Sequence, residues 1–254
     1  PKFAHIPLIL NPDKSKLSKR QGDVAVEDFL IKGYLKEALI NFVAFLGWNP
    51  KTDQEIFSLS GLVEQFDLNK INKSAAIFDP VKLDWLNSLY IRNKPLRELV
   101  ALALPFWERE GINTQTYPKE YLTAILTLEK DRLKKLSEIG ERTKYFFSQP
   151  QYEASLLIWK KADAEDAKTK LSMLFELFSS WPETHFQKET LESAVKKYIE
   201  ENGFGTGSVL WPLRAALTGL PASPSPFEVA SALCLGLGKT EILKRIKIGI
   251  EKLS

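Results

Sequence analysis

Leu35-Lys36-Glu37-Ala38-Leu39-Ile40-Asn41-Phe42-Val43-Ala44-Phe45-Leu46-Gly47 sets the character of the whole chain. Leu35, Leu39, Phe42 and Leu46 recur at spacings of four, three and four, so they line one face of a helix. Gly33 interrupts the pattern upstream and Gly47 ends it. The same period continues beyond. Asp79-Pro80 is a helix start, because Asp can cap and Pro in the first turn loses nothing by lacking an N–H. Trp85, Leu86, Leu89 and Tyr90 follow on that helix. Further helices are expected at residues 96–110, 118–129, 131–147, 151–160, 163–180, 186–201, 208–218, 226–236 and 240–253. Ser225-Pro226-Phe227-Glu228 is a capping box, with Ser at the cap and Glu at the third position. Strand candidates are confined to residues 6–10 and 55–59, so any small sheet is expected within residues 1–75. The fold class is mainly α.

Soft boundaries fall at Arg92-Asn93-Lys94-Pro95 and at Ser148-Gln149-Pro150, which divides the chain into 1–92, 93–150 and 151–254. Asn202-Gly203-Phe204-Gly205-Thr206-Gly207 reads as a flexible loop. In the last helix Ile242, Ile246, Ile250 and Leu253 share a face, and Lys244, Arg245, Lys247 and Lys252 read as its solvated side. The chain opens at Pro1 rather than Met, and an apolar run starts at Phe3, which reads as a piece of a longer or processed protein.

Composition excludes several classes. Of 254 residues, 44% are hydrophobic and 26% charged, which is globular and not disordered. A single cysteine, Cys234, rules out an internal disulfide, and two histidines leave too few ligands for a Cys/His zinc cluster. Such cysteine usage points to a reducing compartment, the cytoplasm. The longest apolar stretch, residues 99–107, holds Pro105 and is too short to span a bilayer. Nothing at the N-terminus resembles a signal peptide, so no membrane partner is expected. A net charge of +3, from 35 basic and 32 acidic residues, permits an anionic partner without requiring one.

Two glycine motifs imitate nucleotide sites. Gly236-Leu237-Gly238-Lys239-Thr240 looks like the end of a phosphate-binding loop, but Leu233 stands where its first Gly is needed. Helix stop, turn and helix start account for it better. Gly203, Gly205 and Gly207 follow no strand, and Ser208 takes the place of the last Gly of a dinucleotide fingerprint. His5 and His185 have no nucleophile nearby. Asp163, Glu165 and Asp166 read as helix-start acids. No self-contained active site and no metal site is legible.

Residues 14–20 are different. Lys14, Lys16, Lys19 and Arg20 crowd a turn, where lysines can serve as mobile point charges for a polyphosphate. A basic turn is also what a solvated loop looks like. Lys16-Leu17-Ser18-Lys19-Arg20, approached through Pro1-Lys2-Phe3-Ala4-His5-Ile6-Pro7-Leu8-Ile9-Leu10, resembles the KMSKS signature of class I aminoacyl-tRNA synthetases in its bacterial glutamyl form. Gly33-Tyr34-Leu35, Leu46-Gly47-Trp48 and Phe78-Asp79-Pro80-Val81-Lys82-Leu83-Asp84-Trp85-Leu86-Asn87 continue the likeness in order. Trp211-Pro212-Leu213-Arg214-Ala215-Ala216-Leu217-Thr218-Gly219, then Phe227-Glu228, complete it. The chain is thus similar to the C-terminal part of glutamyl-tRNA synthetases from the KMSKS loop onward. Leu17 and Arg20 replace the Met and final Ser of the general signature, as glutamyl members often do. Lys14 stands where the family often has Gly.

This resemblance implies a stem-contact region followed by an all-helical anticodon-binding bundle. Residues 1–92 would carry the KMSKS loop and contact the stem, and 93–150 and 151–254 would be two anticodon-binding subdomains. It implies catalytic roles for Lys16, Ser18 and Lys19, with Lys16, Lys19 and Arg20 holding the phosphates of ATP, supplied as its magnesium complex. It places Arg132 at the first anticodon letter and Arg214 at the later letters, beside a shelf of Ser223, Pro224 and Pro226. Relatives often have Leu at the last of these. Arg214 follows Trp211-Pro212, where a rigid turn would present it at a helix start. The implied partners are tRNA(Glu), glutamate and ATP, and the implied state is a monomer. The family's Rossmann half and its HIGH signature precede the matched part, and His5-Ile6-Pro7-Leu8 is not that signature. No glutamate-dependent pyrophosphate exchange is therefore expected of this chain alone. Read from its residues without the family, the chain could also be a stand-alone helical RNA-binding or protein-interaction module. A glutaminyl enzyme fits less well, because its anticodon-reading part is β-rich.

Overall fold

A computed structural model describes residues 7–17, 25–160 and 162–254. Twelve α-helices and two two-residue strands stand among the described residues, so the fold is mainly α. Two compact units are present, one of Pro1–Arg109 with Lys130–Ile139, the other of Glu110–Glu129 with Gly140–Ser254.

The first unit holds β1 (Ile9–Leu10), α1 (Val26–Ile31), α2 (Lys36–Gly47), α3 (Leu59–Gln65), β2 (Ala76–Ile77), α4 (Pro80–Asn93) and α5 (Leu96–Arg109). β1 and β2 pair in parallel, Ile9 with Ala76 and Leu10 with Ile77. The second strand therefore lies just beyond the stretch expected to hold the sheet. Leu39, Phe42 and Leu46 bury against Leu83 and Leu86 of α4, with Phe29 and Phe78 closing the cluster. Asp79 caps α4 by accepting from Val81 N at 2.9 Å.

The strand expected at 55–59 does not form. Its backbone is claimed by side chains instead. Asn41 Nδ2 donates to Glu55 O at 2.9 Å, Phe57 N donates to Asn41 Oδ1 at 2.8 Å, and Tyr90 Oη donates to Phe57 O at 2.6 Å. A buried asparagine thus stands in for a neighbouring strand. Ser58 then caps α3, accepting from Gly61 N at 3.0 Å. That helix has no expectation behind it, because Leu59 and Val63 are exposed and blur its period.

The helix expected at 131–147 is also shorter. Lys130–Arg132 and Leu136–Glu138 are 3₁₀ turns, and only α7 (Ile139–Phe147) is α-helical. Tertiary bonds replace the helical ones here. Leu136 N donates to Gly33 O at 3.0 Å, and Asn87 Nδ2 donates to Lys134 O at 2.6 Å.

The second unit holds α6 (Lys119–Glu129), α7, α8 (Ala164–Ser180), α9 (Lys188–Glu201), α10 (Thr206–Thr218), α11 (Pro226–Leu237) and α12 (Lys239–Lys252). α12 packs on α8, α10 and α11, and α11 packs on α6 and α9. Residues 151–160 form only a 3₁₀ turn, Ala154–Leu157, rather than the expected helix. Trp211 Nε1 takes the Leu156 carbonyl at 2.8 Å. Gly236 and Gly238 serve packing and turning. A Cβ on Gly236 would sit 2.3 Å from the Tyr121 ring, and Gly238 turns α11 into α12 with φ of 76°.

Arg245 overturns the expectation of a solvated basic face on α12. Lys244, Lys247 and Lys252 are exposed, but Arg245 is 0% exposed. Its Nη1 donates to Tyr145 O and Leu217 O, both at 2.7 Å, and its Nη2 to Ser148 O at 3.3 Å. Its Nε donates to Glu241 Oε1 at 2.7 Å. One guanidinium thereby satisfies carbonyls at the C-terminal ends of α7 and α10, which helices leave open.

Candidate functional site

The basic hairpin grows from β1. Asn11 N donates to Ser15 O at 2.8 Å, and Leu17 N returns to Ile9 O at 3.1 Å. Asp13 accepts from the Ser15 hydroxyl at 2.6 Å and the Ser15 N–H at 2.9 Å, which holds its carboxyl below the usual carboxylate range. Lys14 adopts a left-handed φ of 66°, the conformation that glycine takes without strain. It is the conformation that suits the Gly which the resemblance leads one to expect there. Lys14 and Lys16 are exposed. Ser18, Lys19 and Arg20 lie outside the described residues.

Arg132 is exposed and closes the 3₁₀ turn Lys130–Arg132 in the first unit. α4 and the residues before α2 hold that turn. Lys130 Nζ caps the Arg92 carbonyl at 3.2 Å. Asn87, 0% exposed, donates to Lys134 O and accepts from Leu35 N at 2.8 Å, so it ties the start of α2 to the turn region. Tyr34 donates to Asp84, and Lys135 Nζ lies 3.5 Å from the same carboxylate. Asp84 and Asn87 belong to the motif that begins at Phe78. Their partners lie some fifty residues before and after them, so only the resemblance marks them.

Arg214 and the 223–226 segment fall in the second unit. Trp211 and Pro212 lie inside α10, so Arg214 projects from the body of a helix and not from its start. The side chain is half-buried, and its Nε is fully buried with no hydrogen-bond partner. Orphaned buried donors are rare and call for an acceptor. Thr218 ends α10 by donating to Arg214 O at 2.8 Å and accepting from Leu220 N at 3.1 Å, and Gly219 turns the chain with φ of 69°. α11 opens with the expected capping box. Ser225 N donates to Glu228 Oε2 at 3.2 Å, and Glu228 Oε1 pairs with Lys188 Nζ at 2.8 Å. Ser223 is half-exposed and donates to Pro224 O at 2.9 Å, while Pro224 and Pro226 are buried. The two proline rings therefore brace the turn from within, and Ser223 is its accessible part.

No group of three or more metal-ligating side chains occurs among the described residues. Burial pushes the Cys234 thiol up to about 11, so it stays protonated and is a poor nucleophile. No helix among the described residues is long and apolar enough to cross a membrane.

Residues 98–250 match the family described as anticodon binding domain, and residues 1–85 match tRNA synthetases class I (E and Q), catalytic domain. The chain belongs to the anticodon-binding domain family. It is 41% identical to a glutamate–tRNA ligase of Clostridium tetani, covering 100% of this chain and 50% of that protein. It is 36% identical to one of Moorella thermoacetica, over 97% of this chain and 50% of the relative. A crystal structure of a glutamate tRNA ligase from Elizabethkingia meningosepticum superposes with a TM-score of 0.85 at 29% identity, covering 100% of this chain and 52% of the other. The chain spans about half the length of the relatives it matches. The likeness to glutamyl-tRNA synthetases expected from the motifs extends over the full chain.

Proposed function

We propose that this chain is the tRNA-binding, C-terminal part of a glutamate–tRNA ligase. The whole enzyme activates glutamate with ATP, supplied as its magnesium complex, and transfers it to tRNA(Glu), acting as a cytoplasmic monomer. Residues 1–92 carry the KMSKS loop and contact the stem, and residues 93–150 and 151–254 read the anticodon. Lys16, Ser18 and Lys19 serve the activation step, with Lys16, Lys19 and Arg20 on the ATP phosphates. Arg132 reads one end of the anticodon. Arg214 reads the other, with Ser223 as its polar neighbour and Pro224 and Pro226 setting the turn. The observation that carries this reading is the full-length likeness to glutamate–tRNA ligases. The partial exposure of Arg214 on α10 supports its anticodon part, because a guanidinium held at the surface can meet a base edge.

RNA binding has a signature that protein binding lacks. Lysines and arginines on phosphates release counterions, so affinity falls steeply with salt. Titration with tRNA(Glu) between 50 and 200 mM salt is expected to show a loss of about tenfold or more, the scale for two or more phosphate contacts. A salt-independent titration, or no binding at low salt, would leave a protein-interaction module as the better account.

A further inference from the structure

The glycine cluster at 203–207, which is no dinucleotide site, has another use. A Cβ on Gly207 would lie 3.0 Å from Cε2, Cζ2 and Nε1 of Trp159, so the glycine lets that indole settle directly on the first turn of α10, where a larger residue would push it outward. Trp211, one turn further along α10, lies against it with ring centroids 4.8 Å apart and planes at 42°. Trp211 is anchored by its bond to Leu156 O. Both rings are half-buried, and neither belongs to the fully covered core. Lys160 Nζ sits 4.5 Å from the centroid of the Trp159 ring. Lys160 itself is exposed and left-handed, with φ of 48°, in a turn closed by Ala162 N donating to Trp159 O at 2.9 Å. Positions 207, 211 and 214 follow the four-and-three spacing of one helix face, which brings Arg214 to the same stripe.

We propose that Trp159, seated on Gly207 beside Trp211, is a stacking platform for an unpaired base of the RNA, with Lys160 facing its phosphate. The proposal rests on the anticodon reading of Arg214 and extends it to a neighbouring nucleotide. Flat aromatic faces flanked by cations suit single-stranded RNA, where splayed bases stack on indoles and the backbone meets lysine or arginine. The set carries two cations, Lys160 and Arg214, which favours a nucleic acid over an apolar peptide. Lys160 lies over the ring face that a base would take, so this exposed lysine swings aside as the base stacks and then meets its phosphate.

The test uses the full chain with tRNA(Glu) and with the same tRNA carrying a scrambled anticodon. Trp159→Leu is expected to weaken the cognate tRNA by about 5- to 150-fold, the range for loss of one base–aromatic stack, with the salt slope unchanged. Trp159→Phe, which keeps a ring, should stay close to wild type. Lys160→Ala should lower the salt slope by about one. In the wild-type protein, 2-aminopurine placed in turn at each anticodon-loop position should be quenched on binding at one position at least. That measurement holds even if Trp159→Leu folds poorly. Absence of quenching at every position, or cognate binding by a folded Trp159→Leu equal to wild type, would overturn the platform. A wild-type protein that bound both tRNAs equally would defeat the anticodon reading instead, so the two failures are distinguishable.

Discussion

Replacing Arg245 by Met is expected to destabilise the second unit by about 3–5 kcal/mol, the scale for breaking a buried, fully bonded ionic group. Methionine fills much of the volume but donates nothing. The carbonyls of Tyr145, Leu217 and Ser148 would lose their donors, and Glu241 would lose the partner at 2.7 Å. Each buried carbonyl left unpaired costs roughly 1–3 kcal/mol, partly relieved by relaxation and entering water. Because the guanidinium joins the ends of α7 and α10 to α12, the loss falls on three helices at once. Arg245→Lys should recover only part of it, since one ammonium cannot reproduce the fork. Urea unfolding followed through this unit measures the change as a shifted midpoint at unchanged slope. A midpoint for Arg245→Met within experimental error of wild type would show that the network contributes nothing.

Gly33→Ala carries the second large effect, on the first unit. Gly33 has φ of +85°, and a Cβ there would lie 2.4 Å from Ser137 N and 2.7 Å from Leu136 N. The left-handed backbone alone costs a non-glycine residue about 1–2 kcal/mol. The clash adds to it, because the obstacles are backbone atoms that cannot rotate away. The total is expected near 3 kcal/mol, combining strain and overpacking. Gly111→Ala is the control. Its φ is +77°, but nothing lies within 4 Å, so only the strain of about 1 kcal/mol should appear. Equal losses at the two sites, measured by urea unfolding, would mean that the Leu136–Ser137 backbone gives way freely. Gly33 also accepts from Leu136 N, so its substitution should loosen the turn that carries Arg132.

Much of this was legible in residues. The four-three spacing of Leu39, Phe42 and Leu46 marks α2, and the caps Asp79 and Ser225 mark α4 and α11, because those signals are local. What was not legible depends on distant partners. Residues 131–138 keep a helical pattern but are drawn into 3₁₀ turns by Gly33 and Asn87, and Asn41 turns a strand-like segment into a clamped, unpaired one. Arg245 reads as one more surface cation until the carbonyls of two other helices appear beside it. In the candidate site, crowding of cations singles out the Lys16 turn unaided. Arg132 and Arg214 stand out only through resemblance, since a lone arginine on a helix is otherwise a solvated charge. Gly207 shows no purpose until the Trp159 ring is seen resting on it.

The claim that this chain reads the tRNA(Glu) anticodon is tested most directly by Arg214→Ala, titrated with tRNA(Glu) and with a tRNA of unrelated anticodon at two salt concentrations. An arginine on a base edge discriminates by about 1–3 kcal/mol, so the cognate tRNA should weaken by about 5- to 150-fold while the unrelated one changes little. Lys244→Ala and Lys247→Ala, at exposed positions on α12, should show no such preference. Equal weakening of both tRNAs by Arg214→Ala would make Arg214 a backbone contact, and no weakening of either would make it an ordinary surface charge; each result would contradict the account.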